Sequence, residues 1–254
     1  MLQPNQVLDQ CDSTNDLAKK LAEEGAPHGS WISASRQTLG RGRLGRRWES
    51  VTGNLFLSIV VRIPDRFLWT WVPLTTALGV VRYLSLTFPK LELQIKWPND
   101  LLLSGKKVGG ILCESSSTSI VIGIGLNCSH APSSPEFQCT DLSSAHFEPI
   151  TADSIRMGII GSVVQEIDRL MLKGSAQSES EYWRWAVLKK GTLVQWGEGH
   201  ESGVILGLGP SGELEVETDL KEKVALFAEE VSLRKKPQNQ NDFGASRGGG
   251  GYSS

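Results

Sequence analysis

The chain is short of several things, and each shortage closes off a class of function. Its four cysteines, Cys11, Cys113, Cys128 and Cys139, include no CxxC pair. A cysteine-based metal site is therefore not encoded, and with Cys113 and Cys128 inside apolar runs the thiols read as reduced and buried, as in a cytosolic protein. No apolar run reaches the length that spans a bilayer, which predicts no membrane partner. The first residues, Met1-Leu2-Gln3-Pro4-Asn5-Gln6, lack the basic-then-apolar order of a secretory signal, so a cytoplasmic location is expected. Net charge is scarce too: 26 Lys and Arg stand against 28 Asp and Glu, and a formal charge of −2 argues against general nucleic-acid binding. No internal repeat is visible.

What is present is a local concentration of cations. In Ser35-Arg36-Gln37-Thr38-Leu39-Gly40-Arg41-Gly42-Arg43-Leu44-Gly45-Arg46-Arg47-Trp48, five arginines fall within twelve residues and alternate with glycines. Arginine is a permanent cation whose planar fork suits carboxylates and phosphates, and glycine lets the backbone bend or approach a ligand closely. A loop so charged is costly to order and is expected to fold down only when an anion neutralises it. A ligand with more than one negative charge is the best fit. Gripping a nucleic-acid backbone is the rival reading, lowered by the acidic surroundings and the lack of interleaved aromatics.

Periodicity supplies the frame. Asp12-Ser13-Thr14-Asn15 reads as a helix start, with Leu17, Ala18, Leu21 and Ala22 at helical spacing and Gly25 and Pro27 as the stop. Strands are expected at Trp31–Ala34, Leu55–Val61 and Leu93–Trp97, and an antiparallel meander over Leu101–Leu103, Val108–Cys113 and Ile120–Leu126. Core helices are expected over Thr70–Tyr83 and Ser154–Met171, with a further one holding Tyr182, Trp183 and Ala186. From Lys189 the pattern turns to short strands, Thr192–Trp196, Gly203–Leu206, Leu214–Thr218 and Val224–Phe227, separated by Gly-rich turns. These predict a small β-barrel-like module that docks on its neighbour through residues such as Trp196 and Phe227. The Asn, Gln, Gly and Ser tail that follows cannot bury enough surface to fold.

Other candidate groups have bland readings when taken singly. Trp97 would be core, Asn99-Asp100 after Pro98 a turn, and Lys106-Lys107 a solvated hairpin tip. Together, a hairpin from Asn99-Asp100 to the Lys107 strand brings amide, carboxylate and ammonium to one end of a sheet. Gly109-Gly110 inside an apolar strand has no packing value and suggests a flat ligand lying on the backbone. Ser13-Thr14-Asn15 alone would be a helix cap, and Gly123-Ile124-Gly125-Leu126-Asn127 lacks the spacing of a dinucleotide-binding turn.

The ordered set Ser13-Thr14-Asn15, Gln37-Thr38-x-Gly40-Arg41-Gly42-Arg43-x-Gly45-Arg46, Lys96-Trp97-Pro98-Asn99-Asp100, Lys107-x-x-Gly110-Ile111-Leu112 and Gly123-Ile124-Gly125-Leu126-Asn127 closely resembles biotin protein ligase. The resemblance runs from about Val7 to Leu233 and is to the short form without an N-terminal DNA-binding domain. It implies an α+β fold: a mixed, largely antiparallel sheet with flanking helices, of class II synthetase-like, biotin/lipoate ligase type, plus a small SH3-like C-terminal barrel. The division expected is a catalytic domain over 1–188, the barrel over 189–234 and a disordered tail over 235–254.

The resemblance further implies ATP-dependent formation of biotinyl-5′-AMP and transfer of biotin to a lysine of a biotin carboxyl carrier domain, as in acetyl-CoA carboxylase, by a monomer or homodimer that binds no nucleic acid. Two anions must meet in the first step, and at ~4 Å two unit charges interact by about 4 kcal/mol at an effective dielectric near 20, so fixed cations are needed. Lys107, Arg43 and Asp100 are the catalytic residues it implies. Ser13, Thr14, Asn15, Gln37, Arg41, Gly42, Arg43, Lys107 and Gly110 would bind biotin, with Trp48 and Gly109-Gly110 as an apolar floor. Arg41, Arg46, Trp48, Asn99 and Asn127 would bind ATP, Mg²⁺ riding mainly on the phosphates with no protein metal site. Lipoate or octanoate transfer is the nearest enzyme alternative, and a nucleic-acid-binding module the alternative of another class.

Overall fold

A computed structural model describes residues 2–116, 119–133, 138–197, 201–227 and 234–235. Seven strands form the main sheet: β1 (Gln6–Leu8), β2 (Trp31–Ala34), β3 (Leu55–Val61), β4 (Leu93–Lys96), β5 (Asp100–Leu103), β6 (Lys106–Ser116) and β7 (Ser119–Leu126). Their order is β1-β2-β3-β7-β6-β5-β4, and the sheet is mixed because β1 pairs parallel with β2 while the other neighbours are antiparallel. The three-residue β1 went unforeseen, being too short to show an alternation.

All seven residues of β3 are buried, a continuous apolar run with Ser58 as its one polar member. Such a run marks a strand covered on both faces. Helix α1 (Thr14–Glu23) covers one face, where Ala18 and Ala22 pack on Val60 and Val121. On the other lie α2 (Val72–Thr87) and α3 (Ala152–Lys173). These two helices approach so closely at Gly79 that a side chain there would stand 2.8 Å from the Cα of Val163. Helix α3 starts with a reciprocal capping box between Thr151 and Ser154. Helix α4 (Ser175–Trp185) stops one residue earlier than expected, since Ala186 turns extended and bridges Ile95 of β4. No helix among the described residues is long and apolar enough to cross a membrane.

A second, antiparallel sheet has the order β11-β10-β9-β8-β12, from β8 (Leu193–Trp196), β9 (Glu201–Leu208), β10 (Leu214–Thr218), β11 (Lys223–Leu226) and β12 (Arg234–Lys235). It shares one core with the first: Val194, Trp196, Ile205, Leu214 and Val216 belong to the same buried cluster as Trp71 and Trp97. The indole of Trp71 donates to Pro210 O at 2.7 Å and that of Trp97 to Gly212 O at 3.2 Å. The turn 209–212 thus meets Trp71 and Trp97; Trp196, expected at this junction, is buried in the shared cluster, and Phe227, also expected there, is 45% exposed. Lys235, assigned to the tail, pairs with Val194 in β12. The rest of that tail, 236–254, lies outside the described residues.

Candidate active site

The site begins where α1 meets β3. Ser13 stands at the N-cap but makes no side-chain cap, so the Ser-Thr-Asn cluster does not serve the helix as such a run usually would. Its polar groups turn toward the sheet. The amide and hydroxyl of Thr14 both donate to Gln37 Oε1, at 2.8 and 3.1 Å. Ser58 Oγ donates to Asn15 Oδ1 at 2.6 Å and lies 2.8 Å from Thr14 Oγ1. Asn15 Nδ2 donates to Glu114 Oε2 at 2.7 Å and to Leu112 O at 3.3 Å. A continuous polar chain therefore runs from Gln37 to Glu114 over three elements.

The Arg/Gly loop closes over this cluster as a tight ribbon. Trp48 N donates to Gly40 O, Gly42 N donates to Arg46 O, and Arg41 bridges Arg47. Leu44 takes a left-handed conformation, φ 56°, at the tip. Arg41 meets Asp16 with both terminal nitrogens, at 2.7 and 2.6 Å, and reaches Glu114 at 3.3 Å. Two carboxylates of the chain thus supply countercharge for Arg41. Hydrogen bonding from Arg41 holds the Asp16 carboxyl below its ordinary value. Burial works to raise Glu114, but hydrogen bonds from Lys19 and Asn15 outweigh it and leave that carboxyl lowered as well. Arg43 turns inward and donates to Asn99 Oδ1 at 2.9 Å.

Lys107 owes its direction to an irregularity. Strict alternation along β6 would place Lys107 on the face of Gly109, away from Gly110. The register against β5 shifts between Leu101 and Leu102, which face Gly109 and Lys107 and skip Val108. Such a bulge re-aims a side chain, and Lys107 Cε comes 3.6 Å from where a Gly110 Cβ would be. The ammonium lies 2.6 Å from Asp100 Oδ1 and 5.6 Å from the Trp48 ring centroid. Asn99 Nδ2 donates to Ile111 O at 2.7 Å and locks the 97–100 segment to β6.

Glycines make the floor. Gly110 and Gly125 are cross-strand partners on one face, and Gly123 lies two residues along. A Cβ on Gly125 would come 2.5 Å from Trp48 Cε2 and one on Gly123 would come 2.4 Å from Asn15 Oδ1. The flat group lying on this floor is Trp48, whose buried indole N–H has no acceptor among the described residues. Gly109 faces the opposite way, against Leu101 and Leu126, so its place in the expected apolar floor is corrected.

One open cavity, enclosing about 1010 Å³ outside the atoms with the solvent at its mouth counted, is lined by Ser13, Thr14, Asn15, Gln37, Arg41, Gly42, Arg43, Arg46, Trp48, Asn99, Asp100, Lys107 and Gly110. Asn127, expected to meet ATP, does not line it: the buried amide donates to Thr140 O at 3.0 Å and anchors the segment that pairs with the Lys107 backbone. Ser58, Asp16 and Glu114 went unforeseen. Ser58 had a signal, as the lone polar residue in an apolar strand; the other two read as ordinary helix and strand charges. Asp100 is the only carboxylate among the lining side chains and Lys107 holds it, so the donors do not fit a protein-held cation.

The pattern of the Biotin/lipoate A/B protein ligase family matches residues 7–129. The chain is similar to biotin ligases. It is 34% identical over 164 residues to the "Bifunctional ligase/repressor BirA" of Bacillus subtilis, covering 61% of this chain and 50% of that protein. It is 37% identical over 142 residues to the "Biotin--[acetyl-CoA-carboxylase] ligase" of Mycobacterium tuberculosis, covering 54% and 53%. The chain thus spans about half the length of the curated relatives it matches. The structure of the Aquifex aeolicus biotin protein ligase in complex with biotin and ATP superposes with a TM-score of 0.78 at 27% identity, covering 91% of this chain and 98% of that one.

Proposed function

We propose that the protein is an ATP-dependent biotin–protein ligase, joining biotin to AMP and then to a lysine of a biotin carboxyl carrier domain such as that of acetyl-CoA carboxylase, in the cytoplasm. The observation that carries this reading is the 2.6 Å Lys107–Asp100 pair, set in one cavity with the Thr14–Gln37 polar cluster and with Arg43 and Arg46. The two molecules in the Aquifex aeolicus complex, biotin and ATP, suit the polar cluster and the cations respectively.

In this reading Ser13, Thr14, Asn15 and Gln37 take the ureido ring, whose N–H and C=O groups need directional partners. That polar wall is a poor surface for the aliphatic chain of lipoate or octanoate. Lys107 lies between the biotin carboxylate and the α-phosphate and offsets their repulsion as the carboxylate oxygen attacks phosphorus and the bond to pyrophosphate breaks. Arg43, Arg46 and the indole N–H of Trp48 meet the phosphates and nucleotide, with Mg²⁺ carried by the triphosphate. The closed loop keeps water from the acyl phosphate. In the second step the neutral amine of the carrier lysine attacks the acyl carbon, AMP leaves with the bonding pair, and the amine loses its proton; Asp100 orients that amine. The division into 1–188 and a barrel over 189–234 belongs to the same proposal, with the second sheet bracing the Trp97 segment.

Biotin-dependent exchange of pyrophosphate into ATP, followed by mass measurement of a carrier domain, tests the reading. Exchange without biotin, or none with it, would sink it.

A further inference from the structure

Glu114 neither lines the cavity nor carries a motif, yet three side chains, Lys19, Asn15 and Arg41, donate to it. Its Oε1 takes Lys19 Nζ at 2.5 Å, and its Oε2 takes Asn15 Nδ2 at 2.7 Å with Arg41 at 3.3 Å. Helix α1 and the Arg/Gly loop are thereby tied to β6 at one carboxylate.

We propose that Glu114 is a positioning residue that sets the direction of the hydrogen bonds in the biotin pocket through Asn15. This rests on the biotin reading and deepens it. An ionised carboxylate only accepts, so the atom of Asn15 beside it must be the NH₂ group. The opposite end, Oδ1, is then forced toward Ser58, 2.6 Å away, and Ser58 must donate to it. With its single hydrogen spent there, Ser58 has none to give to Thr14, whose own hydroxyl hydrogen is then shared between Ser58 Oγ at 2.8 Å and Gln37 Oε1 at 3.1 Å. An inverted Asn15 amide would set an oxygen against the carboxylate and a nitrogen against Ser58, freeing that hydroxyl to donate elsewhere. Leu112 O, 3.3 Å from the same nitrogen, favours the same orientation, and the closer, charged contact to Glu114 at 2.7 Å is the stronger hold on which groups inside the cavity give and which receive. Gln at 114 would accept or donate with equal ease and would leave only the longer Leu112 O contact to orient the amide, while Lys19 would lose its charged partner.

The test is steady-state pyrophosphate exchange by the full chain and its variants. Exchange by the unaltered protein is measured first; its absence would sink the biotin reading and is distinguishable from any result below. Glu114→Gln should raise the KM for biotin about tenfold, as expected for the loss of one charged hydrogen bond, and leave the KM for ATP within about twofold. Asn15→Asp should be worse, because it sets carboxylate against carboxylate. The exchanged pair Asn15→Asp with Glu114→Gln restores donor to acceptor and should recover biotin use relative to Asn15→Asp alone, which a merely structural role would not give. An unchanged biotin KM in Glu114→Gln, an equal rise for both substrates, or an exchanged pair no better than Asn15→Asp would each overturn the proposal. Should Glu114→Gln not fold, Glu114→Asp keeps the charge but shortens the reach to Asn15; a rise confined to biotin supports the proposal and an equal rise for both substrates overturns it.

Discussion

Trp48 lies flat on Gly125, so close that a Cβ there would stand 2.5 Å from the indole Cε2. The contact fixes the exit of the Arg/Gly loop to the sheet floor. Gly125→Ala should push the indole off its seat at an overpacking cost of about 1–3 kcal/mol. The expected outcome is a kcat/KM for ATP lowered by about tenfold to a hundredfold with a smaller change for biotin. Pyrophosphate exchange with a shift in tryptophan emission would show it, and unchanged ATP use would remove Trp48 from the nucleotide site.

Lys107→Ala takes away the ammonium that pairs with Asp100. The side chain is only partly buried, so the fold should persist while adenylate formation slows by about 10²–10³. Lys107→Arg should restore little, because a planar guanidinium does not replace a compact point charge. Single-turnover release of pyrophosphate at saturating substrates separates this from weaker binding; near-normal release would end the assignment.

The loop latch should yield to acid. Asp16 and Glu114 are held below their ordinary values of 3.8 and 4.5, so their pairing adds stability that is complete above those values and is lost as the pH falls through the lowered ones. Protease cleavage within residues 38–47 should rise below pH 3.8. Asp16→Asn should raise trypsin cleavage there by up to about fivefold at neutral pH, the scale of an exposed pair. Cleavage insensitive to both pH and Asp16 would show that the backbone ribbon alone holds the loop.

Burial pushes the thiol of Cys128 up to about 12, and burial with the nearby Asp12 and Asp16 pushes Cys11 up to about 11. Thiolates react and thiols do not. The native protein at neutral pH should therefore label slowly with a thiol-specific reagent at both positions and fully once unfolded. Fast native labelling of Cys128 would contradict its burial.

Trp71→Phe deletes the hydrogen bond to Pro210 that joins the second sheet to the first. A loss near 1 kcal/mol is expected, which lowers Tm by about 2–4 °C in a chain of this size. Removing residues 189–254 should do far more, because it bares the shared core around Trp71 and Trp97. A truncated chain as stable as the parent would refute the docking described here.

Much was legible in the order of residues. Apolar runs such as Leu55–Val61 and the helical spacing of Leu17, Ala18, Leu21 and Ala22 located strands and helices, because burial on a face imposes its period on the chain. The Arg/Gly loop and the Lys96–Asp100 segment stood out because their composition is costly without a ligand. What the tertiary structure decided was direction and partnership. Alternation would have turned Lys107 away from Gly110; the slip at Val108 brings it round, and nothing in Val-Gly-Gly announces a bulge. Gly109 and Gly110 looked alike in sequence, yet the pleat sends one into the core and the other under Trp48. Asn127 looked available for a ligand until the fold brought Thr140 O to its amide. Asp16 and Glu114, 98 positions apart in the chain, became countercharges to Arg41 only when α1 packed on the sheet beside β6. A sequence records which residues must be buried or are costly to leave alone; which charge meets which, across long separations, is set by the packing that closes those separations.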